Sequence, residues 1–369
     1  MRFLFIGAHY PALRRELRKL GHECKDVDHW ALFCRRGALA AAESCHPEGT
    51  EGGTQSAVND HVRRVALEYK PDVIVQWKGW IDGARFILPD TISYLKDELD
   101  CLTVYWSVDD PDFVGFWRQH MSGIGVWDVA LTCCAASKEI YRKAGVRYPH
   151  YFLPAFDTEW PIDTLEGERE TADLVVAGHS YAPIHGADMG RAAFALAVKR
   201  AGYKVEIYGP NPEMWTTPGG ILVTGHPELR ECYRGWLQHD DVWKAYIRGK
   251  VVLNNHLRKG GGYDKRYTGY CNDKIFQIAG ANGATQLMDY QPGISPDVYT
   301  AGLEFVQYRK SLEPQECLDS AFEIFEDLIA NDDVRYGMRD AARKRTLAEH
   351  TWRHRAEQLM QICKTGGKG

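Results

Sequence analysis

The sequence predicts an α/β protein made of two tandem doubly wound domains, and three observations predict it. Short apolar runs alternate with stretches of helical period, the pattern of a parallel sheet covered by helices on both faces. The alternation stops after Phe156-Asp157 and restarts at Asp173. The length, 369 residues, suits two domains of roughly 150 to 200 residues each.

The elements follow in order. Arg2 to Ile6 is an apolar run closed by Gly7, and the helix after it has Leu13, Leu17 and Leu20 at helical spacing with Gly21 as its stop. Val58 to Tyr69 reads as a helix, Pro71-Asp72 as punctuation and Val73 to Trp77 as a buried strand. A helix over Ile92 to Leu99 leads to the strand Leu102 to Trp106, and the strand Val129 to Cys133 leads to the helix Ser137 to Ala144. These elements form a first domain over 1–155. Residues 156–171 read as a linker, because Asp163 to Thr171 is acidic and holds only Leu165 as a large apolar residue.

The second series begins with the strand Asp173 to Ala177 and Gly178, the helix Arg191 to Ala201 and the strand Lys204 to Tyr208 with Gly209. Further strands are expected at Ile221–Thr224, Val251–Leu253, Thr285–Met288 and Leu303–Val306, and helices at Pro314–Ala330 and Val334–Glu349. The second domain therefore spans 172–350. A last helix, Arg353 to Cys363 within 351–369, is expected to pack back on the first domain. Ligands of doubly wound sheets sit outside the carboxyl ends of the strands, which places the expected site in a cleft lined by the loops after those ends.

Composition narrows the function. The formal net charge is −5, which provides no whole-protein field for nucleic acid or anionic lipid. No apolar run approaches the ~20 residues of a membrane span, and the amino terminus turns polar too soon for a signal peptide, so a cytoplasmic protein is expected. The 10 cysteines form no CxxC pair and read as reduced, structural thiols. The histidines show no HExxH or HxxxH-with-carboxylate pattern, and no metal is expected.

Nucleotide motifs are also missing. The first loop, Gly7-Ala8-His9-Tyr10-Pro11, lacks GxGxxG, and Gly260-Gly261-Gly262 is not followed by the Lys-Ser/Thr of a phosphate-binding loop. Gly178-His179-Ser180 remains as a turn whose amides could receive a phosphate at a helix start, or as a plain tight turn. The most informative stretch is Asn272 to Tyr290, a short helix, a glycine turn and a strand. Lys274 and Gln277 share a helical face, and Gly280 and Gly283 allow close backbone approach.

That stretch resembles the group 1 glycosyltransferases of the GT-B fold, two Rossmann-like domains with an interdomain cleft, and within them the branch similar to the spore maturation protein CgeB. The resemblance rests on Lys274, Phe276-Gln277-Ile278, Gly280 with Gly283, and Asp289-Tyr290. Val205 to Gly209, Val252-Leu253-Asn254-Asn255, Glu349 to Arg355, and Tyr105-Trp106-Ser107-Val108-Asp109-Asp110-Pro111 extend it over most of the chain. One departure is Gln277, where the family usually has a Glu that grips the donor ribose.

The resemblance implies transfer of a sugar from a nucleotide sugar, UDP-, GDP- or dTDP-linked, to an acceptor hydroxyl without a metal or other cofactor. Its donor site would use Gly178, His179, Ser180, Tyr208, Gly209, Asn254, Asn255, Arg258, Lys274, Phe276, Gln277 and Gly283. The base would come from the first domain, where His9, Asp109 and Asp110 follow strand ends; an Asp before Pro is equally a turn residue. Trp77, Lys78 and Trp80 could stack on a sugar or a base, or fill core and cover a loop.

The acceptor expected is a saccharide, a protein or a hydroxymethylated DNA base. Residues 1–155 hold 19 Lys and Arg against 20 Asp and Glu, which argues against broad duplex binding, whereas Arg14, Arg15, Arg18 and Lys19 cluster on the first helix and favour it. A catalytically silent nucleotide-sugar binder and a sugar-nucleotide epimerase are the alternatives.

Overall fold

The computed structural model describes residues 1–7, 10–28, 55–77, 80–81, 84–85, 87–108, 110, 121–162, 164, 167, 169–178, 190–209, 214–216, 222–224, 227–256, 267–309 and 313–367. His9, Lys78, Asp109, His179, Ser180 and Arg258 lie outside the described residues, and of Trp80 only the backbone is described. The chain divides into two compact units, Met1–Leu153 with Trp352–Gly369, and Pro154–Thr351.

The first unit holds a parallel six-stranded sheet of β1 (Arg2–Ile6), β2 (Glu23–Val27), β3 (Val73–Trp77), β4 (Leu102–Ser107), β5 (Val129–Thr132) and β6 (Tyr148–Tyr151). Their order in space is β2-β1-β3-β4-β5-β6. Successive residues of a strand face opposite sides. Leu4, Ile6 and Ile74 accordingly pack on Val58, Val62, Ile92 and Leu95, carried by α2 (Gln55–Tyr69) and α3 (Pro89–Leu99). Before them runs α1 (Pro11–Lys19), with Pro11 at its first position and Leu13 and Leu17 buried. Gly21, at φ 84°, turns the chain out of it. After β5 comes α4 (Ser137–Lys143).

The last helix, Trp352–Lys364, belongs to this unit and packs on α1. The Trp352 ring lies 4.8 Å from Tyr10 and 6.2 Å from Trp106, and such aromatic pairs add about 0.5–1.5 kcal/mol each beyond their buried area. Arg355 Nε donates to the Leu153 carbonyl at 2.9 Å, tying the helix to the point where the chain leaves the unit.

The second unit holds β7 (Ala172–Ala177), β8 (Val205–Tyr208), β9 (Tyr233–Gly235), β10 (Gly249–Asn254), β11 (Thr285–Asp289) and β12 (Val306–Tyr308), all parallel, in the order β9-β8-β7-β10-β11-β12. Its helices are α5 (Arg191–Arg200), α6 (Trp243–Tyr246), α7 (Lys274–Ala281), α8 (Pro314–Ala330) and α9 (Asp332–Glu349); the helix Trp352–Lys364 is α10. Leu174, Val176, Ile207, Val251 and Leu253 pack on Phe194, Val198, Ala321 and Phe325 of α5 and α8. Helices α6 and α7 pack on β10 and its neighbours from the other side.

Three sequence expectations change. Residues 156–171, read as a linker, are built into the second unit: Phe156 and Ile162 are buried, the Phe156 N–H donates to the His350 carbonyl, and Glu170 pairs with Arg339 at 3.0 Å. The strand expected at Leu303–Val306 begins only at Val306, because Gly302 to Phe305 form a turn closed by the Gly302 N–H to Phe305 carbonyl bond. Edge strands β2 and β6, and β9 in the second sheet, were not anticipated at all.

Candidate functional site

In the second sheet the strand order reverses between β7 and β10, since β7 continues to β8 on one side and β10 to β11 on the other. A doubly wound sheet opens a crevice at such a point, beyond the carboxyl ends of the two strands. There the chain assembles Gly178 after β7, Asn254 and Asn255 at the end of β10, Arg191 at the first position of α5 and Lys274 at the first position of α7.

Lys274 Nζ donates to the Ala177 carbonyl at 2.6 Å. Arg191 is buried, with Nε donating to Asn255 Oδ1 at 2.8 Å and Nη2 to the Asn255 carbonyl at 3.0 Å. A Cβ at Gly178 would lie 2.6 Å from Arg191 Nη1 and 2.7 Å from Lys274 Nζ. The two cationic nitrogens are therefore within about 5 Å of each other, and only glycine leaves room for both. At an effective dielectric constant of about 20, two unit charges at that separation repel by about 3 kcal/mol. Burial first, and then the neighbouring Arg191, push Lys274 well below the ordinary lysine range, with Asp273 opposing.

Both cations also open helices, where the dipole is positive and acidic residues are the favourable choice. Neither α5 nor α7 has an acidic residue in its first turn. Two helix N-termini, a guanidinium and a lysine side chain thus converge on one point, an arrangement that suits an anion with several oxygens.

Other expected donor residues fall into different places. The Gly178 N–H is already given to the Tyr208 carbonyl at 3.1 Å, so the glycine supplies space at the site rather than an amide. The Gly209 N–H likewise goes to Gly235. Asn254 sits in reciprocal amide bonds with Asn272, 3.2 and 2.8 Å long. Gln277 is buried on α7, its Nε2 donating back to Asp273 Oδ2 at 3.3 Å.

Phe276, read as a donor residue, faces the opposite way. It is fully buried between Tyr299 and His350, with ring centroids 5.9 and 5.2 Å away. Gly283 is a packing glycine, because its Cβ would lie 2.1 Å from Ile247 Cα. Tyr208 gives its hydroxyl to Glu206 at 2.8 Å, and Glu206 is gripped by Arg248 through contacts of 2.9 and 3.2 Å.

In the first unit, Asp110 is buried, and its carboxylate accepts from Ser107 Oγ at 2.7 Å, Thr132 Oγ1 at 2.6 Å and Tyr141 OH at 3.0 Å. Three hydroxyl donors tie it to the ends of β4 and β5 and to the helix α4. Arg14, expected to meet an acceptor, is buried as well and pairs with Asp26 at 2.9 Å; Arg18 reaches the same carboxylate at 4.0 Å. Trp77 closes β3, half-buried and in register with Trp106. Among the described residues no three His, Cys, Asp or Glu side chains gather into a metal-binding group, and no helix is long and apolar enough to cross a membrane.

Sequence reasoning missed two residues here. Arg191 carried a signal, a cation at the first position of a helix, where the dipole disfavours it. His256 follows β10 and pairs with Asp289 at 2.8 Å, both buried; one histidine after an Asn-Asn pair carries no comparable sign.

Residues 191–361 match a family model described as glycosyl transferase-like. No curated protein matches by sequence. Among solved structures, HepE from Anabaena in complex with UDP and glucose is similar at 13% identity, TM-score 0.62, over 99% of this chain and 100% of that one. An α-glucosyltransferase in complex with UDP and a 13-mer DNA containing an HMU base is similar at 12% identity, TM-score 0.65, over 99% of each chain. A glycosyltransferase from Rickettsia africae is similar at 9% identity, TM-score 0.59, over 100% of this chain and 99% of that one. Residues 191–361 thus carry a glycosyl transferase-like sequence, and the chain has the two parallel six-stranded sheets of the GT-B fold.

Proposed function

We propose that this protein moves a hexosyl group from a uridine diphosphate sugar to an acceptor hydroxyl, and that Arg191 and Lys274 hold the diphosphate without a metal ion. The observation that carries this reading is the convergence of both cations, each at a helix start, beside Gly178. Negative charge grows on the leaving diphosphate as the glycosidic bond breaks, and fixed donors aimed at it lower the barrier; loss of one such donor typically costs about 10²–10³ in rate. The uridine donor is supported by the UDP and UDP-glucose complexes of HepE. His9 or Asp109 would supply the base in this reading.

The acceptor in this reading is a hydroxyl of a saccharide or a protein. A second reading, a hydroxymethylated DNA base, is favoured by the full-length likeness to the glucosyltransferase bound to HMU-containing DNA. It loses the support of the first helix, because Arg14 and Arg18 both answer to Asp26.

The test measures thermal stabilisation by UDP-glucose, GDP-mannose and dTDP-glucose with and without EDTA, then transfer of labelled sugar to hydroxymethyluracil oligonucleotides and to oligosaccharides. A ligand at ~100 times its dissociation constant adds about 2.7 kcal/mol. Stabilisation by none of the donors would overturn the reading, and loss of the shift in EDTA would overturn its metal-free part. Conversion of the nucleotide sugar without acceptor would mean an epimerase.

A further inference from the structure

Lys274 and Arg191 place two like charges at one point beside Gly178. Lys274 Nζ has the Ala177 carbonyl as its hydrogen-bond acceptor, in a largely buried position. Arg191 faces it from α5, within about 5 Å, and a guanidinium does not give up its proton in a protein. Asp273, at the start of α7, is the acidic group that acts on Lys274 among the described residues. Its Oδ2 accepts from Gln277 at 3.3 Å. From α6 the buried Tyr246 faces Asp273 and Arg191, and burial pushes its hydroxyl well above the ordinary tyrosine range, so it stays neutral. Asn255 contributes a neutral amide that is spent on Arg191. Among the described residues one nearby carboxylate therefore stands against two cations, and the lysine is the member of the pair that can discharge itself.

We propose that the diphosphate site takes up a proton together with its ligand: Lys274 is a neutral amine in the empty protein and becomes an ammonium when the diphosphate settles between it and Arg191. The proton comes from solvent and goes to the amine lone pair, and no bond of the ligand breaks. The inference rests on the reading of this site as the donor site.

The device has a consequence for specificity. An uncharged ligand cannot stabilise the ammonium, so the second cation appears only for an anion. Opposite charge and hydrogen bonding to the charged form raise the lysine back toward its ordinary range, while in the empty site burial and Arg191 lower it. Between those two values, affinity for the diphosphate falls as pH rises, by up to tenfold per pH unit for one proton exchanged.

Isothermal titration with a nucleotide sugar tests this directly, because the bridging diphosphate of such a donor does not itself titrate near neutrality. UDP-glucose, GDP-mannose and dTDP-glucose would each be titrated at pH 8, above the ordinary histidine range, in HEPES and in Tris, whose ionisation enthalpies differ. The dependence of the apparent enthalpy on buffer gives the protons taken up. The wild-type protein should take up more than half a proton per ligand bound. Lys274→Arg, permanently charged, should bind with no uptake, and Lys274→Met should bind at least tenfold more weakly with no uptake and an affinity flat with pH. Circular dichroism of each variant confirms that it is folded. Binding without proton uptake in the wild type, or uptake that survives in Lys274→Met, would overturn this inference while leaving the donor site in place. Failure of all three donors to bind would instead overturn the reading on which it rests.

Discussion

His256 and Asp289 join the ends of two neighbouring strands: Asp289 Oδ1 lies 2.8 Å from His256 Nδ1 and accepts the His256 backbone N–H at 2.9 Å. Its other oxygen accepts from Gln291 at 2.7 Å. One buried carboxylate thus sets the course of the chain as it leaves β10, immediately after the Asn255 that holds Arg191. Asp289→Ala should leave three donors without their acceptor and destabilise the protein by several kcal/mol, at about 1–3 kcal/mol per orphaned buried group. An unchanged melting temperature would show that the pair is not structural.

Arg191→Ala and Lys274→Ala should each weaken a nucleoside diphosphate by roughly 10- to 150-fold, the equivalent of a charged hydrogen bond of about 1.5–3 kcal/mol, and leave the affinity for the unphosphorylated nucleoside within about twofold. Asn255→Ala should reproduce part of the Arg191 loss by freeing the guanidinium. Calorimetric titration of uridine and UDP separates these cases, and equal losses for both ligands would place the cations away from the phosphates.

Acid should weaken the second unit through Glu206. Its burial alone would raise the carboxyl, but the Arg248 and Tyr208 hydrogen bonds and the charges of Arg248 and Arg234 outweigh it and hold the group below its ordinary range. Because the folded value is depressed, the unfolded chain binds the proton first as pH falls. The stabilisation is fully present above the ordinary glutamate value of about 4.3 and is lost as pH falls through the lower folded value. Glu206→Gln should therefore cost stability at pH 7, on the order of 3 kcal/mol for a broken buried pair, and markedly less near pH 3. A constant difference between wild type and variant at the two pH values would refute the assignment.

Gly280→Ala and Gly283→Ala should both destabilise the fold, by about 1–3 kcal/mol or more from overpacking, with ligand affinity per folded molecule unchanged. The two differ in remedy. The Gly280 Cβ would meet the Phe156 ring at 2.2 Å, a side chain that Phe156→Leu can shrink. The Gly283 Cβ would meet the backbone of Ile247, which no substitution relieves. Denaturant titration of the paired variant Gly280→Ala, Phe156→Leu should show partial rescue, and none would mean that the contact is not the cause.

How much of this was legible in the sequence follows from burial. Strands such as Val73–Trp77, covered on both sides, are near-continuous apolar runs, broken here only by Gln76. Edge strand Glu23–Val27 is Glu-Cys-Lys-Asp-Val, with four of its five residues at least partly exposed, and no periodicity betrays it. Lys274 was legible because its motif is local. Arg191 had only its helix-start position as a local sign, because its hold on Asn255, 64 residues away in sequence, depends on β7 and β10 lying side by side. Phe276 and Gly283 sit in the same motif as Lys274 but serve core packing; a one-residue step along a helix turns the side chain by about 100°, enough to exchange ligand face for core.

The position of α10 sets an order on synthesis. All six strands of the first sheet leave the ribosome before residue 153, yet Trp352, which lies against Tyr10 and Trp106, follows about 200 residues later. At ~5–20 residues per second that delay lasts roughly 10 to 40 s. Throughout it, the aromatic surface around Tyr10 and Trp106 has no cover from its own helix, while residues 154–351 are complete once Thr351 has emerged. The unit that begins the chain is therefore the last to be finished, and a nascent protein stalled short of residue 352 exposes the surface on which an aggregating neighbour or a chaperone would first take hold.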